Sequence, residues 1–368
     1  MTTKQFRVGI IGADTKASWA GGSHVPAIQK HPSLILAAVA TRREASARAA
    51  AEAFGAERWY ADPYELIHDD TIDIVTIAVN VPAHKALVLA ASKAKKAIYC
   101  ESPLGSTLAE TEQMAAEAGT LHTAIGLQGR QNPAVRRAAE LIALGKLGTI
   151  MSANVRATTF GYGPESPSVY DYFNKAASGA SFLTITTAHV LDVIEAVLGN
   201  VSEVDARTEL LWPEVKLTDT GETSVREIPD HVDIIAKTAI GAPVSVQVLA
   251  GVSENDAHFV FDIRGSEGSL TLTGNHLAGV QVGDLTLSAS VAFAPPETPI
   301  ALGAINASAP SVWACAAINV GEVYDSLARD MAEGTFNTPG FGHAVHNSQL
   351  VAAVERAAQT GERQRNLS

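Results

Sequence analysis

Through the first third of the chain, short apolar runs alternate with stretches whose apolar positions recur at helical spacing. Residues 6–11, 33–40, 72–79, 97–100 and 123–127 are aliphatic or β-branched runs that read as buried strands. Between them, 23–30, 45–54, 83–93 and 108–118 read as helices, and Gly55 supplies the usual stop after 45–54. Near-continuous apolar strands separated by helices predict a parallel sheet covered on both faces. After Arg130 the rhythm changes. A helix over 134–144 ends at Gly145, and 150–159 alternates as a strand. Much of 201–287 reads as strands joined by Gly, Asn and Asp turns, as in Leu270-Thr271-Leu272-Thr273-Gly274. Helices return over 320–331 and 343–358. The expected fold is α/β: a doubly wound parallel sheet over 1–128, then an α+β domain over 129–368 with a large, mainly antiparallel open sheet.

Composition narrows the partners. A length of 368 residues exceeds what one core usually serves, in keeping with two domains. The net charge of -12 argues against a nucleic-acid surface. The basic spot Lys93-Ala94-Lys95-Lys96 reads as a solvated helix end. Only two cysteines occur, Cys100 and Cys315, with no disulfide or zinc spacing, so a reducing cytoplasm is expected and no metal site. No apolar stretch approaches the roughly 20 residues of a membrane helix. The N-terminus runs into its first strand without an apolar signal segment.

The loop after the first strand, Gly12-Ala13-Asp14-Thr15-Lys16-Ala17-Ser18-Trp19-Ala20, is a degenerate dinucleotide turn. Gly12 can make the tight turn and Ala17 can allow close helix packing. Asp14 costs energy near a pyrophosphate unless it turns away. A strand–turn–helix with no ligand explains this loop nearly as well. The second strand ends in Ala40-Thr41-Arg42-Arg43, with no acid for ribose hydroxyls. An arginine beside a hydroxyl suits a 2′-phosphate, so NADP is expected ahead of NAD. Two solvated arginines opening a helix are the alternative. Asn80-Val81-Pro82-Ala83-His84 follows a strand at its carboxyl end, where ligands bind in open α/β sheets. His84 could face a ligand there, or serve as a cap or surface group.

Several motifs together resemble the Gfo/Idh/MocA oxidoreductases across nearly the whole chain. They are Val8-Gly9-Ile10-Ile11-Gly12, His24-Val25-Pro26-Ala27-Ile28, Tyr99-Cys100-Glu101-Ser102-Pro103 and Ala188-His189-Val190-Leu191-Asp192. Trp19-Ala20, Leu127-Gln128-Gly129-Arg130, Pro229-Asp230-His231 and the Asp262 to Gly268 tract resemble the branch of the yeast galactose-regulon repressor and its bacterial relatives. The resemblance implies a Rossmann domain and a substrate domain often used for subunit contact, hence a homodimer or homotetramer. It implies a cofactor site drawn from Gly12, Ala13, Trp19, Thr41, Arg42, Asn80, Pro82, His84 and Glu101. Trp19 either covers the cofactor or packs the first helix.

In catalytic members of that family a Glu-Lys-Pro lysine and an Asp-x-x-x-His pair surround the substrate carbon. Here the lysine position is Ser102 and the aspartate position is Ile185, so only His189 remains. A serine hydroxyl is too weak an acid to replace an ammonium, although it can orient a substrate hydroxyl. The candidate catalytic set is His189 as acid/base with Ser102 and Tyr162, and the substrate set is Arg130, Tyr172 and His231. Tyrosines at 162 and 172 can bind a polyol, or form a hydrophobic flap instead. Two functions stay open. One is an NAD(P)-dependent oxidoreductase acting on a small carbohydrate-like hydroxy or carbonyl compound. The other is a non-catalytic, dinucleotide-responsive regulator that binds a partner protein.

Overall fold

The apolar runs of the first third form a six-stranded parallel sheet. Its strands are β1 (Phe6–Ile11), β2 (Leu34–Ala40), β3 (Arg58–Tyr60), β4 (Ile74–Ile77), β5 (Ala97–Glu101) and β6 (Thr123–Gly126), in the order β3-β2-β1-β4-β5-β6. The order reverses between β1 and β4, which is where ligand crevices form in such sheets. Helices α1 (Trp19–Gly22), α2 (His24–Lys30) and α3 (Glu44–Phe54) cover one face; α4 (Pro63–His68), α5 (His84–Lys93) and α6 (Leu108–Ala118) cover the other. Both faces are dry, which is why the strands lack polar alternation. The computed structural model describes residues 5–16, 18–296 and 316–367. Ala17 and Cys315 lie outside the described residues.

The described chain divides into two units. The first runs to Gln128 and takes back the stretch ending at Val345, while the second runs from Gly129 and resumes at His346. A single domain over 129–368 is therefore corrected. An 18-residue helix, Ala316–Glu333, belongs with the first unit. Its Val320, Val323, Tyr324 and Leu327 are buried against Val25 and Ile28 of α2 and the β1 face. Its apolar stripe predicts burial but does not name the partner face.

The second unit opens with α7 (Pro133–Ala143), capped by the Asn132 side chain on the Ala134 N–H. It is built on β7 (Ile150–Thr159), a short β8 (Glu165–Ser166), helix α8 (Ala188–Leu198) and β9 (Val201–Glu209). Next come β10 (Glu214–Leu217), β11 (Thr223–Val225), β12 (His231–Thr238), β13 (Pro243–Ala250), β14 (Phe259–Gly265), β15 (Ser269–Gly274) and β16 (Thr286–Ala289). Strand β17 (Gln364–Arg365) closes the chain. Eight strands make one sheet, ordered β16-β15-β14-β7-β13-β12-β9-β17, in which the β7–β13 pair is parallel and the other pairs antiparallel. Strands β11, β10 and β8 form a separate small sheet.

Helix α9 in chain order is the Ala316–Glu333 segment, and α10 is Phe341–Thr360. Along α8, Val190, Leu191, Val193, Ile194, Val197 and Leu198 are all buried. The inward residues of β7, β12 and β13, together with Leu350 and Val354 of α10, enclose them. A helix apolar on all sides is a core helix. Each such side chain contributes about 1.5–3 kcal/mol by burial. Two acids on it, Asp192 and Glu195, are carried inside and must be paired there.

Candidate functional site

At the carboxyl end of β1, Gly12 has φ +105°, and a Cβ there would sit 2.2 Å from the Ala78 carbonyl oxygen. Only glycine fits this turn. Asp14 folds back onto its own loop, its Oδ1 accepting the Lys16 backbone N–H at 2.8 Å. Ser18 Oγ accepts from Gly21 N at 3.0 Å and donates to the Asp14 carbonyl at 2.7 Å, so the loop is tied to the start of α1. Ala13 is fully buried. Trp19 packs against the first-unit core beside Ala20.

At the end of β2, the Thr41 hydroxyl is taken up by Ser46 Oγ at 2.6 Å and the Arg43 carbonyl at 3.2 Å. Arg42 and Arg43 are exposed and form no ion pair among the described residues. Beyond β4, Asn80 and Pro82 are exposed. His84 is not. Its Nε2 lies 2.9 Å from the Val79 carbonyl and its Nδ1 3.1 Å from that of Pro103. Burial pushes its imidazole below the ordinary value against the pull of those carbonyls. The ligand-facing expectation for His84 is corrected: a buried ring joins the end of β4 to the loop after β5.

Glu101 ends β5 and its carboxylate rests over the last residue of β6. A Cβ on Gly126 would come within 2.8 Å of that carboxylate. Glu101 Oε1 lies 2.9 Å from His24 Nε2, His24 Nδ1 lies 2.9 Å from the Tyr324 hydroxyl, and that hydroxyl lies 2.7 Å from Thr76 Oγ1. Next in the chain, Ser102 is half-buried, and its hydroxyl makes no hydrogen bond among the described residues.

In the second unit, residues Leu183–Thr187 form one π-helical turn that leads directly into α8. Such turns are frequent at functional sites. Ile185 lies in this turn, partly exposed, and the buried His189 follows on α8. Three residues on, Asp192 Oδ1 accepts from an Arg130 guanidinium nitrogen at 2.8 Å. Arg130 is thereby engaged with the helix that carries His189. On the next turn Glu195 accepts the His346 Nε2 at 2.9 Å and the Val201 N–H at 2.8 Å. Hydrogen bonding to Glu195 raises the His346 imidazole above its ordinary value.

Tyr162 has φ +60° and packs between Phe173 and Phe182, with ring centroids 5.5 and 5.4 Å away. Burial pushes its hydroxyl well above the ordinary range, with Thr186 of the π-turn pulling the other way. Tyr172, tilted against Phe173 with ring centroids 4.1 Å apart, is pushed up to about 12 by burial and by Tyr170. At neutral pH both phenols are hydrogen-bond donors, not bases. The loop is held by a fully buried pair, in which Arg226 donates to Asp230 at 3.0 Å, to the Tyr162 and Gly163 carbonyls and to Asn174. Asp230 also accepts the Leu211 and Trp212 N–H groups.

His231 falls elsewhere. On β12 its neighbours Val232 and Ile234 point into the helix-covered core, so His231 lies on the opposite face of the sheet, bonded to Asp233 at 2.9 Å. The structure therefore separates His231 from His189, which corrects their joint placement at a substrate site. Beside the π-turn, Thr186, Val190, His258 and Phe259 line a cavity of ≈ 10 Å³, room for about one water. Among the described residues, no group of three or more His, Cys, Asp or Glu could hold a metal ion, and no helix is long and apolar enough to cross a membrane.

Comparison with known proteins fits this geometry. Residues 6–127 match the family described as oxidoreductase family, NAD-binding Rossmann fold, and residues 133–274 match Gal80p, C-terminal domain. The first part of the chain thus carries the NAD-binding Rossmann fold of the Gfo/Idh/MocA oxidoreductases, and the second part is similar to the Gal80p C-terminal domain. The chain is 28% identical over 292 residues to dehydrogenase aclE of Aspergillus oryzae, covering 75% of this chain and 78% of that one. It is 28% identical to the galactose/lactose metabolism regulatory protein GAL80 of Saccharomyces cerevisiae, covering 73% of this chain and 67% of that one. A solved levoglucosan dehydrogenase in complex with NADH and L-sorbose shares the fold, with TM-score 0.80 and 23% identity over 98% of this chain and 99% of that one.

Family motifs did not bring out every group that matters. Thr76 is hidden in an otherwise aliphatic strand, Tyr324 comes from a helix far along the chain, and Arg226 stands four residues before Asp230 in a loop. A lone polar residue inside an apolar run was the one available signal, at Thr76.

Proposed function

We propose that this chain is an NAD(P)-dependent oxidoreductase acting on a CH–OH or carbonyl carbon of a sugar, cyclitol or related compound. The carrying observation is His189, an imidazole kept on a buried helix directly after a π-helical turn, where the family places its acid/base. An imidazole exchanges a proton near neutral pH, which neither Ser102 nor Ile185 can do. The nicotinamide, when bound, supplies the hydride chemistry. Gly12, Ala13 and the exposed Asn80 and Pro82 would hold the dinucleotide, with Trp19 over the first loop. Ser102, with its hydroxyl uncommitted, would orient a substrate hydroxyl, and Tyr162 and Tyr172 would line the substrate side as donors.

NADP is favoured over NAD because Arg42 and Arg43 are exposed at the end of β2 with no ion pair among the described residues. A guanidinium pairs bidentately with a 2′-phosphate. Subunit association through the solvent-facing side of the eight-stranded sheet, giving a homodimer or homotetramer, belongs to the same proposal.

A second reading has its own support. Losing both the lysine and the aspartate suits a dinucleotide-responsive regulator, and a named regulatory protein is among the relatives. Titration with both cofactors tests the shared part. Arg42→Ala should weaken NADP(H) about tenfold or more while changing NAD(H) less than about twofold. Equal loss for both would defeat the 2′-phosphate assignment.

A further inference from the structure

The run from Thr76 through Tyr324 and His24 to Glu101 is a single hydrogen-bonded chain assembled from β4, α9, α2 and β5. Thr76, Tyr324 and His24 are fully buried, and only the Glu101 side chain, 14% exposed, reaches the surface. A buried chain with one open end has a direction, and hydrogen counting gives it.

Among the described residues the Thr76 hydroxyl has one partner, Tyr324. If Tyr324 donated to Thr76, the threonine hydrogen would be buried without an acceptor, at the cost of an unsatisfied group. Thr76 therefore donates to the Tyr324 oxygen, and Tyr324 donates to His24 Nδ1. His24, left with its hydrogen on Nε2, donates to Glu101. The tautomer follows from the network. Every hydrogen along the chain then has an acceptor.

The other end is also built. Gly126 leaves the carboxylate its space at the end of β6, and Glu101 Oε2 accepts from no group among the described residues. That oxygen stands at the carboxyl end of a parallel sheet, where ligands bind.

We propose that His24, Tyr324 and Thr76 are positioning residues that fix the Glu101 carboxylate and aim its Oε2 at a hydroxyl of the bound dinucleotide. The proposal rests on the dinucleotide-binding reading. It concerns residues that act through Glu101 and touch no ligand themselves.

A double-mutant cycle on cofactor affinity tests it, with NADH and NADPH titrated against native protein, Tyr324→Phe, Glu101→Ala and the double variant. Tyr324→Phe keeps the ring packed on Tyr99 and removes only the hydroxyl. It should weaken the better-bound cofactor about fivefold in the native background and less than about twofold in the Glu101→Ala background. The same loss in both backgrounds, or no loss in the native one, would overturn the positioning role. If native protein binds neither cofactor, the dinucleotide reading itself falls, and the proposal with it. Thr76→Val, at the far end of the chain, repeats the cycle should Tyr324→Phe fail to fold. It should give the same dependence on Glu101, and equal losses in both backgrounds would again overturn the role.

Discussion

Arg130 donates to the Asp192 carboxylate at 2.8 Å, and Asp192 stands three residues beyond His189 on the same buried helix. The carboxylate side chain is 1% exposed, so its charge is tolerated only while compensated. The pair thus fixes the helix face next to the candidate acid/base. Replacing Arg130 with methionine keeps much of the volume and leaves the acid behind. Arg130→Met should cost about 3 kcal/mol or more in denaturant unfolding, and Asp192→Asn in the same background should recover part of it. An Arg130→Met variant as stable as the native protein would contradict this.

Gly12 offers a test of the first loop. At φ +105°, with the Ala78 carbonyl 2.2 Å from where a Cβ would lie, alanine forces β1 away from the end of β4. Gly12→Ala should lower stability by about 1–3 kcal/mol or more by thermal melting and weaken both NAD(H) and NADP(H) alike. Unchanged affinity for both would remove this turn from the cofactor site.

Two ionisable groups, the buried Asp330 and the half-buried His346, set opposite pH dependences. Burial alone would raise the Asp330 carboxyl, but hydrogen bonds from Thr335, Thr338 and the N–H groups of Asn337 and Thr338 outweigh it and hold it at about 2, against 3.8. Its folded value is depressed, so its contribution, about 2 kcal/mol, is present above the unfolded value and lost as pH falls through the folded one. Asp330→Ala should destabilise the protein at neutral pH and flatten its loss of stability between about pH 4 and 2. His346 is the reverse case. Glu195 raises it above 6.5, so its contribution is complete below that value and lost as pH rises through the folded value. His346→Gln should remove that alkaline-side decline in the unfolding midpoint, and an unchanged decline would assign it to another group.

Much of the first unit could be read in the sequence, because a parallel sheet buried on both faces writes itself as continuous apolar runs such as Ile74 to Ile77. The same rule hid Thr76, which a β-branched shape lets pass as core. From its place after a strand His84 could equally face a ligand or serve as a cap or surface group, and three backbone carbonyls take its ring instead. Tyr324 could not be assigned to its partners, since an amphipathic stripe states that a helix packs and not where. The π-turn at Leu183–Thr187 left no pattern either, because the run Thr184-Ile185-Thr186-Thr187 favours no period of its own. Register was decisive for His231. Alternation along β12 sends it to the face opposite Val232, and a motif match carries no face.

Oxidoreduction through His189 is the central claim, and turnover decides it most directly. Native protein and His189→Ala should be screened with NAD(P)+ against polyols, cyclitols and glycosides, and with NAD(P)H against sugar carbonyls, following nicotinamide absorbance. The account predicts turnover of at least one substrate by the native protein, lowered about 100-fold or more by His189→Ala with cofactor affinity retained. Tight cofactor binding without turnover anywhere in the screen, or equal turnover by both proteins, would contradict it.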